Sequence, residues 1–509
     1  MANTSNTHAI PDALKILWIS NGFPEDFLSH LKLTGNPDTA VPSSFRLGLA
    51  AQIAVALSGL SAAYLYYLRT SKAQDVNVDA RHAALSFRSE AWYTVDSQLP
   101  VGGVWDSIAG LYKTKDDNYV RIHTNFPHHR AGVLSVLSIS DEGPLLERSI
   151  VADAILLWDS KEFEHECAAR GLCVTALRSY AEWDREDQKK ALEGLPPVVV
   201  KKVGDAPRRG CPNETERGKE KEKAKQIRPL DGMKVLDLSR VLAGPIAGKT
   251  LAAHGADVLL LTSPSLPSLP LLDVETSLGK RTAQLDLTKE NDINKLRELV
   301  KEADVFLQAY RPAGLEEKSF GVQDVVSLRP GIVYAGLRAW GWDGPWAARK
   351  GTATGFNVDE GEAYQAFINS DRPRSFPMQA LDHAAAHFLA FGINACLCKT
   401  IMEGGSWEVR VSLASVGQWV RSLGRLSPQQ AFNESTPFPE RRAPPGKEIW
   451  DLGVEWQQSK GPNRHDTEGQ RPKRMRTVRH AAMLSATPVR EGETALAPMG
   501  LDSYVAGWL

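Results

Sequence analysis

Between Lys234 and Leu337, short apolar runs alternate with stretches whose apolar residues recur every three or four positions. Lys234 to Ser239 is such a run, with β-branched Val235, and it stops at a Ser239-Arg240 step ahead of Gly244, Pro245 and Gly248. This predicts a strand running into a tight turn. From Ile246 to His254 the spacing becomes helical, Gly255 punctuates, and Asp257 to Leu261 reads as a second buried strand. Strand, turn, helix and strand fill about 30 residues, the size of a right-handed crossover. Thr282 to Leu287 then reads as a strand, Lys289 to Glu302 as an amphipathic helix, and Val305 to Ala309 and Ile332 to Leu337 as further strands. Alternation of this kind predicts an α/β fold, a parallel sheet covered by helices on both faces, with ligands outside the carboxyl ends of its strands.

Basic residues sit where those strands begin or end. Lys280-Arg281 precedes the strand at Thr282, and Arg311 follows the strand at Val305. Arg offers a bidentate fork to a phosphate and Lys a point charge. Solvated surface cations would give the same pattern, and the local sequence leaves both readings open. The turn from Gly244 to Gly248 has neither GxGxxG spacing nor a Walker lysine, so a nicotinamide or triphosphate site is unsupported.

Several ordered motifs carry a resemblance. VLDLSRVLAGP, the helix closing on HGADV, GKRTAQLDL, ADVFLQAYRPAG and LRPGIVYAGLRAWGWDGPW extend over roughly 120 residues, far more than one short match. The segment resembles the family III coenzyme A transferases, the group that includes formyl-CoA transferase, carnitine CoA-transferase and 2-methylacyl-CoA racemase. The resemblance implies a nucleotide-binding-like CoA domain joined to a smaller α+β domain. It places Val241, Ala243, Gly244, Lys280, Arg281 and Arg311 near coenzyme A. It implies no permanently bound cofactor: coenzyme A or an acyl-CoA, with acetyl-CoA or another short acyl-CoA as the family-level expectation, is a substrate.

The family's nucleophile is an Asp in a short loop opening a helix, and MQALDHAAAHFLAFGINACL places Asp382 there. An Asp ahead of an Ala-rich helix also suits a plain N-cap, which accepts the orphan N–H groups. The implied reaction is attack of this carboxylate on a thioester carbonyl, giving a mixed anhydride and then an aspartyl-CoA thioester from which a second carboxylic acid takes the CoA. His383 and His387 share a helix face, but no HExxH pattern or third ligand accompanies them, so no metal is expected.

Two departures from the family pattern matter. After Arg349-Lys350-Gly351 the chain goes directly to Thr352-Ala353-Thr354-Gly355-Phe356, omitting the family's aromatic-His/Asp pair, and Phe126 stands before Pro127 where the racemase branch has Glu. Racemisation needs a base and an acid, so a racemase or isomerase is the weaker alternative. A non-catalytic CoA-binding accessory protein is another. The order of the parts is also unusual. Residues 75 to 200 resemble the family's later half, yet they come first. Ser44 to Phe87 echoes Leu381 to Val420 at an offset of roughly 333 residues, a partial internal repeat in which Leu47-Gly48-Leu49 stands where Leu381-Asp382-His383 stands in the second copy. One nucleophile per chain is expected. The family's interlocked chains imply a homodimer, whereas this order implies a catalytic unit completed within one chain.

The domains expected are 1–203 resembling the family's later half, a charged linker at 204–229, a CoA-binding half with the nucleophile at 230–425, and a polar, partly flexible segment at 426–509. With 60 basic and 61 acidic residues there is no electrostatic case for nucleic acid. The partners expected are an acyl-CoA and a carboxylic acid. Cys167, Cys173, Cys211, Cys396 and Cys398 have neither metal nor disulfide-framework spacing and suit free thiols in a reducing compartment. Leu47 to Leu68 has the uncharged length of about 20 residues that a bilayer requires. Its Ala, Ser, Gly and Gln52, and its place in the repeat, predict a buried helix and no membrane partner. No secretory signal pattern opens the chain and no SKL-type address closes it, which makes a cytoplasmic location the expectation. The cluster near Lys473 reads as linker charge in place of a nuclear signal.

Overall fold

The computed structural model describes residues 7–210, 227–349, 358–359, 373–459, 471–502 and 504–508. Cys211, most of the charged linker and the shortened stretch after Lys350 lie outside the described residues.

The five predicted apolar runs become strands of a seven-stranded sheet. Its strands are β1 (Val198–Gly204), β2 (Lys234–Leu238), β3 (Asp257–Thr262), β4 (Arg281–Gln284), β5 (Val305–Gln308), β6 (Val333–Arg338) and β7 (Ser406–Ser412), in the order β4-β3-β2-β5-β6-β7-β1. All neighbours are parallel except β1, which pairs antiparallel with β7. Burial on both faces explains why these strands read as unbroken apolar runs. Val235, Val258, Val305 and Val333 point into one core, and Leu236, Leu259, Phe306 and Tyr334 into the other. The second face is covered by the predicted amphipathic helix, Glu290–Glu302, through Leu296, Leu299 and Val300. Because β1 comes from the first half of the chain, the two halves share this sheet.

The opposite face carries three helices, α1 (Leu47–Thr70), α2 (Ala243–Ala253) and α3 (Ala380–Met402). Among the described residues, α1 and α3 are the two helices long and apolar enough to cross a membrane, yet their most apolar windows are 100% and 83% buried in the fold. They lie side by side as the centre of the molecule. Asn394 Nδ2 donates to Ser58 O at 3.3 Å and to Ser61 Oγ at 3.0 Å, so small polar residues join the two helices. Gln52 Nε2 donates to the carbonyls of Thr34 and Val78, which satisfies its buried amide.

The internal echo is a structural one. After α1 the chain forms the strand Val76–Asp79 and the helix Ala80–Ser86; after α3 it forms β7 and the helix Leu413–Ser422. Both short helices begin with a side-chain cap, Asp79 to His82 N at 2.9 Å and Ser412 to Ser415 N at 3.1 Å. The first half also contains the expected smaller α+β unit. Strands Gly110–Lys113, Tyr119–Ile122 and Val174–Ala176 pair antiparallel over their own core of Ile108, Val120, Phe163 and Val174.

The described residues of the C-terminal segment dock on the body. They supply Gly453–Gln457 and Arg474–Val478, which pair with each other, and Met483–Leu484, which pairs with Val76–Asp79. Tyr504 N donates to Thr282 O at 2.9 Å and Trp508 packs over Lys234 and Arg281, covering the open edge at β4. The ends of the linker are tied down as well, by an Arg209–Asp304 ion pair at 2.5 Å. Cys167, Cys173, Cys396 and Cys398 are buried and take part in no disulfide among the described residues.

Candidate active site

Parallel strands end together, so the loops after β2, β3, β4 and β5 gather on one side of the sheet. Strand order reverses between β2 and β5, and a cavity of about 390 Å³ lies there, lined by Leu238, Thr262, Ser263, Asp286, Tyr310 and Arg311 among others. Arg311 is exposed and shares this cavity with Lys318. A second cavity of about 310 Å³ holds Asp382. A small pocket, the candidate passage, shares Thr262 with the first cavity and Val241 with the second. Val241 has a positive φ of 74°, a strained conformation for a β-branched residue, at this crossing point.

Asp382 occupies the first turn of α3. The sequence admitted an N-cap role, but Gln379 is the N-cap and makes no side-chain cap, and the helix has already begun at Ala380. Asp382 is therefore free of capping duty, with its carboxylate held by its own backbone N–H. Burial pushes this carboxyl up to about 6; His383 and Arg121 pull it down and Glu90 adds to the rise. The first N–H groups of a helix have no intrahelical partner, and the starts of both α2, at Leu242, and α3, at Gln379, border the Asp382 cavity.

Lys280 and Arg281 do not take the phosphate-holding place expected of them. Lys280 is 0% exposed, with Nζ donating to Asp237 Oδ2 at 2.8 Å and to Pro245 O at 2.6 Å. Arg281 is buried too, bidentate on Asp257 and bonded to Gly507 O. Both side chains turn back into the fold because the carboxylates of β2 and β3 meet them there. The expected turn at Gly244 is likewise the start of α2. Ala243 and Gly244 are its first residues, Gly244 against Ser239, and Pro245 sits where a helix needs no N–H. At Gly248 a Cβ would collide with Asp237 Oδ2, so glycine lets α2 lie directly over the Lys280–Asp237 pair.

Reading the sequence missed Arg240, which lines the passage. Its guanidinium lies 5.1 Å from the Phe126 ring centroid, and its buried Nη2 has no partner among the described residues. It also missed what the first half contributes to the Asp382 cavity: Arg88, Glu90, Trp105, Arg121, His123 and Asn125. No motif marks them, and only their folding onto α3 brings them there. His383 and His387 turn to other partners, His383 Nε2 to Glu90 Oε2 at 3.2 Å and His387 Nδ1 to Ser58 Oγ at 3.0 Å.

The equivalent position in the first copy is closed. A Cβ at Gly48 would collide with Pro37 O and lie 2.9 Å from the Ala40 Cβ, so the segment before α1 occupies the space a side chain would need.

The domain that carries these cavities is similar in sequence to one family in particular. Residues 230–443 match the family CoA-transferase family III. The acetyl-coenzyme A transferase nodX of Hypoxylon pulicicidum is 27% identical over 438 residues, covering 77% of this chain and 71% of that protein. A probable fatty acyl-CoA transferase of Mycobacterium tuberculosis, Rv3272, is 31% identical over 234 residues, 42% of this chain and 59% of that one. The crystal structure of Rv3272 aligns with a TM-score of 0.33 and 28% identity, covering 39% of this chain and 58% of that chain. The nodX similarity takes in more of the chain than 230–443.

Proposed function

We propose that this chain moves coenzyme A from an acyl-CoA to a free carboxylic acid, with Asp382 as the covalent carrier. One observation carries the reading: Asp382 stands in a cavity that shares Val241 with a small pocket, which in turn shares Thr262 with a larger cavity at the sheet's switch point. The nucleotide end of coenzyme A would occupy the larger cavity, with Arg311 and Lys318 toward its phosphates. Arg240 would meet the part of the substrate that crosses the passage, and the thioester would reach Asp382.

In this mechanism an Asp382 oxygen attacks the thioester carbonyl carbon. A C–O bond forms, the C–S bond breaks, and the thiolate leaves with the electron pair. The thiolate then attacks Asp382 Cγ, the anhydride C–O bond breaks, and the original acid departs as carboxylate. A second carboxylate repeats the steps in reverse, with no net proton uptake. Orphan N–H groups at the starts of α2 and α3 would receive the oxyanion in each step. The donor in this reading is acetyl-CoA or another short acyl-CoA, the first being what the name of the nodX relative states.

The test is to incubate the protein with acetyl-CoA, quench, and locate CoA or hydroxylamine-trapped label by mass spectrometry. Label on Asp382 that disappears in Asp382→Ala together with transfer supports the reading. Transfer that survives Asp382→Ala without any adduct overturns it.

A further inference from the structure

Among the described residues, Glu90 is the only carboxylate besides Asp382 on the wall of the catalytic cavity. It comes from the opposite half of the chain, in the helical turn Ser89–Trp92, and is 5% exposed. Its Oε2 accepts a hydrogen bond from Nε2 of His383, the residue next to the nucleophile, at 3.2 Å. Phe87, itself fully buried, stacks on the His383 ring at 5.4 Å between centroids and on His387 at 5.8 Å. The imidazole cannot leave Glu90 without displacing that ring. A buried carboxylate–imidazole contact is a poor way of merely joining two halves, because well-packed apolar residues do it with no desolvation cost.

We propose that Glu90 and His383 form a positioning pair for the CoA-transfer reaction: Glu90 places a fixed negative charge beside the nucleophile, and His383 anchors and balances it. The inference rests on the transfer reading above. Free Asp382 is an anion, whereas in the anhydride and in the aspartyl-CoA thioester its carboxyl carries no charge. A fixed neighbouring anion therefore disfavours the free carboxylate relative to both covalent intermediates, and strengthens it as a nucleophile. The pair itself gains and loses no atom. Repulsion without limit would protonate Asp382 at neutral pH; His383 checks it from α3, Arg88 from the turn of Glu90, and Arg121 from the hairpin strand. His123 also lines the cavity, and Lys249, His387 and His480 lie with His383 on a small cavity behind it. Burial and Glu90 raise the Asp382 carboxyl while His383 and Arg121 lower it, in line with these roles.

Opposite signs make the pair testable. Glu90→Gln keeps an acceptor for His383 but removes the charge; His383→Gln removes the balancing group. Asp382 titration, followed by carbon-13 NMR with labelled aspartate and assigned with Asp382→Asn, should move down in Glu90→Gln and up in His383→Gln. In Glu90→Gln, kcat for transfer from acetyl-CoA should fall about tenfold with KM unchanged. A structural role alone would lower the melting temperature of both variants without opposite titration shifts, and that result overturns the proposal, as does an unchanged kcat in a folded Glu90→Gln. If wild type forms no Asp382 adduct, the transfer reading falls, while the titrations still decide whether Glu90 and His383 govern the Asp382 charge.

Discussion

Lys280 Nζ stands 2.8 Å from Asp237 Oδ2 with both side chains wholly buried, which makes the most conspicuous basic residue of the GKRTAQLDL motif a structural bolt. It ties the start of β4 to β2 and, through Pro245 O, to the first turn of α2. Burial lowers the Lys280 ammonium and Asp237 holds it charged. Lys280→Ala leaves Asp237 buried without its partner and should cost about 3–5 kcal/mol of stability. Arg311→Ala should do the reverse, raising KM for acyl-CoA about tenfold, with a rise that shrinks in high salt, while thermal unfolding stays unchanged. Denaturant unfolding and steady-state kinetics on the two variants separate a structural cation from a binding one.

Asp382 links activity and stability through one charge. In the folded chain it keeps its proton up to about 6, against 3.8 ordinarily, with burial as the first cause. As a nucleophile it must be ionised, so kcat/KM should rise with pH along an acid limb near 6. The folded state binds the proton more tightly than the unfolded one, so this group's contribution to stability declines as pH rises from about 4 through 6. Asp382→Asn should abolish transfer yet stabilise the protein at pH 7.5 by on the order of 1 kcal/mol, a gain that vanishes near pH 4. Calorimetry of the two proteins across pH checks this.

A buried imidazole cluster should make the fold acid-sensitive. Burial pushes His123 and His480 down to about 4 and holds His254 and His387 well below the ordinary 6.5. Their neutral state favours folding fully above 6.5, and the advantage is lost as pH falls from there toward 4, by at most about 1.4 kcal/mol per pH unit for each histidine. Asp382 and Asp273, both raised to about 6, oppose the trend below that value. His254 has neither ring nitrogen partnered among the described residues and lies 5.0 Å from the His480 ring. His254→Phe should raise the melting temperature more at pH 5.5 than at pH 7.5, and an equal rise at both would remove His254 from the cause.

Closure at Gly48 limits the chain to one reactive position. Gly48→Asp should not create a second nucleophile, because the new side chain meets Pro37 and Ala40. We expect poor folding of that variant, a single trapped adduct per wild-type chain by intact mass, and activity that persists in chains shown to be monomeric by light scattering. An obligate dimer would count against a catalytic unit built within one chain.

Much of this was written along the chain. Strand runs such as Val305–Gln308, the Glu290–Glu302 helix and the Leu47–Thr70 helix follow from local periodicity and burial, which sequence expresses directly. Asp382 was legible through the order of motifs before it, and the repeat through the echo of two helix-strand-helix segments. Side-chain destinations were not. Lys280 and Arg281 look like surface cations locally, and only the carboxylates that β2 and β3 bring alongside turn them inward. Glu90 lies 293 residues from His383 and carries no motif, so nothing along the chain predicts their 3.2 Å contact. Sequence by itself determined which segments become strands and helices and which carboxyl is the candidate nucleophile, because those properties depend on near neighbours. Tertiary structure decided which charges meet, because that depends on the packing of α1 against α3, which brings the two halves of the chain to one cavity.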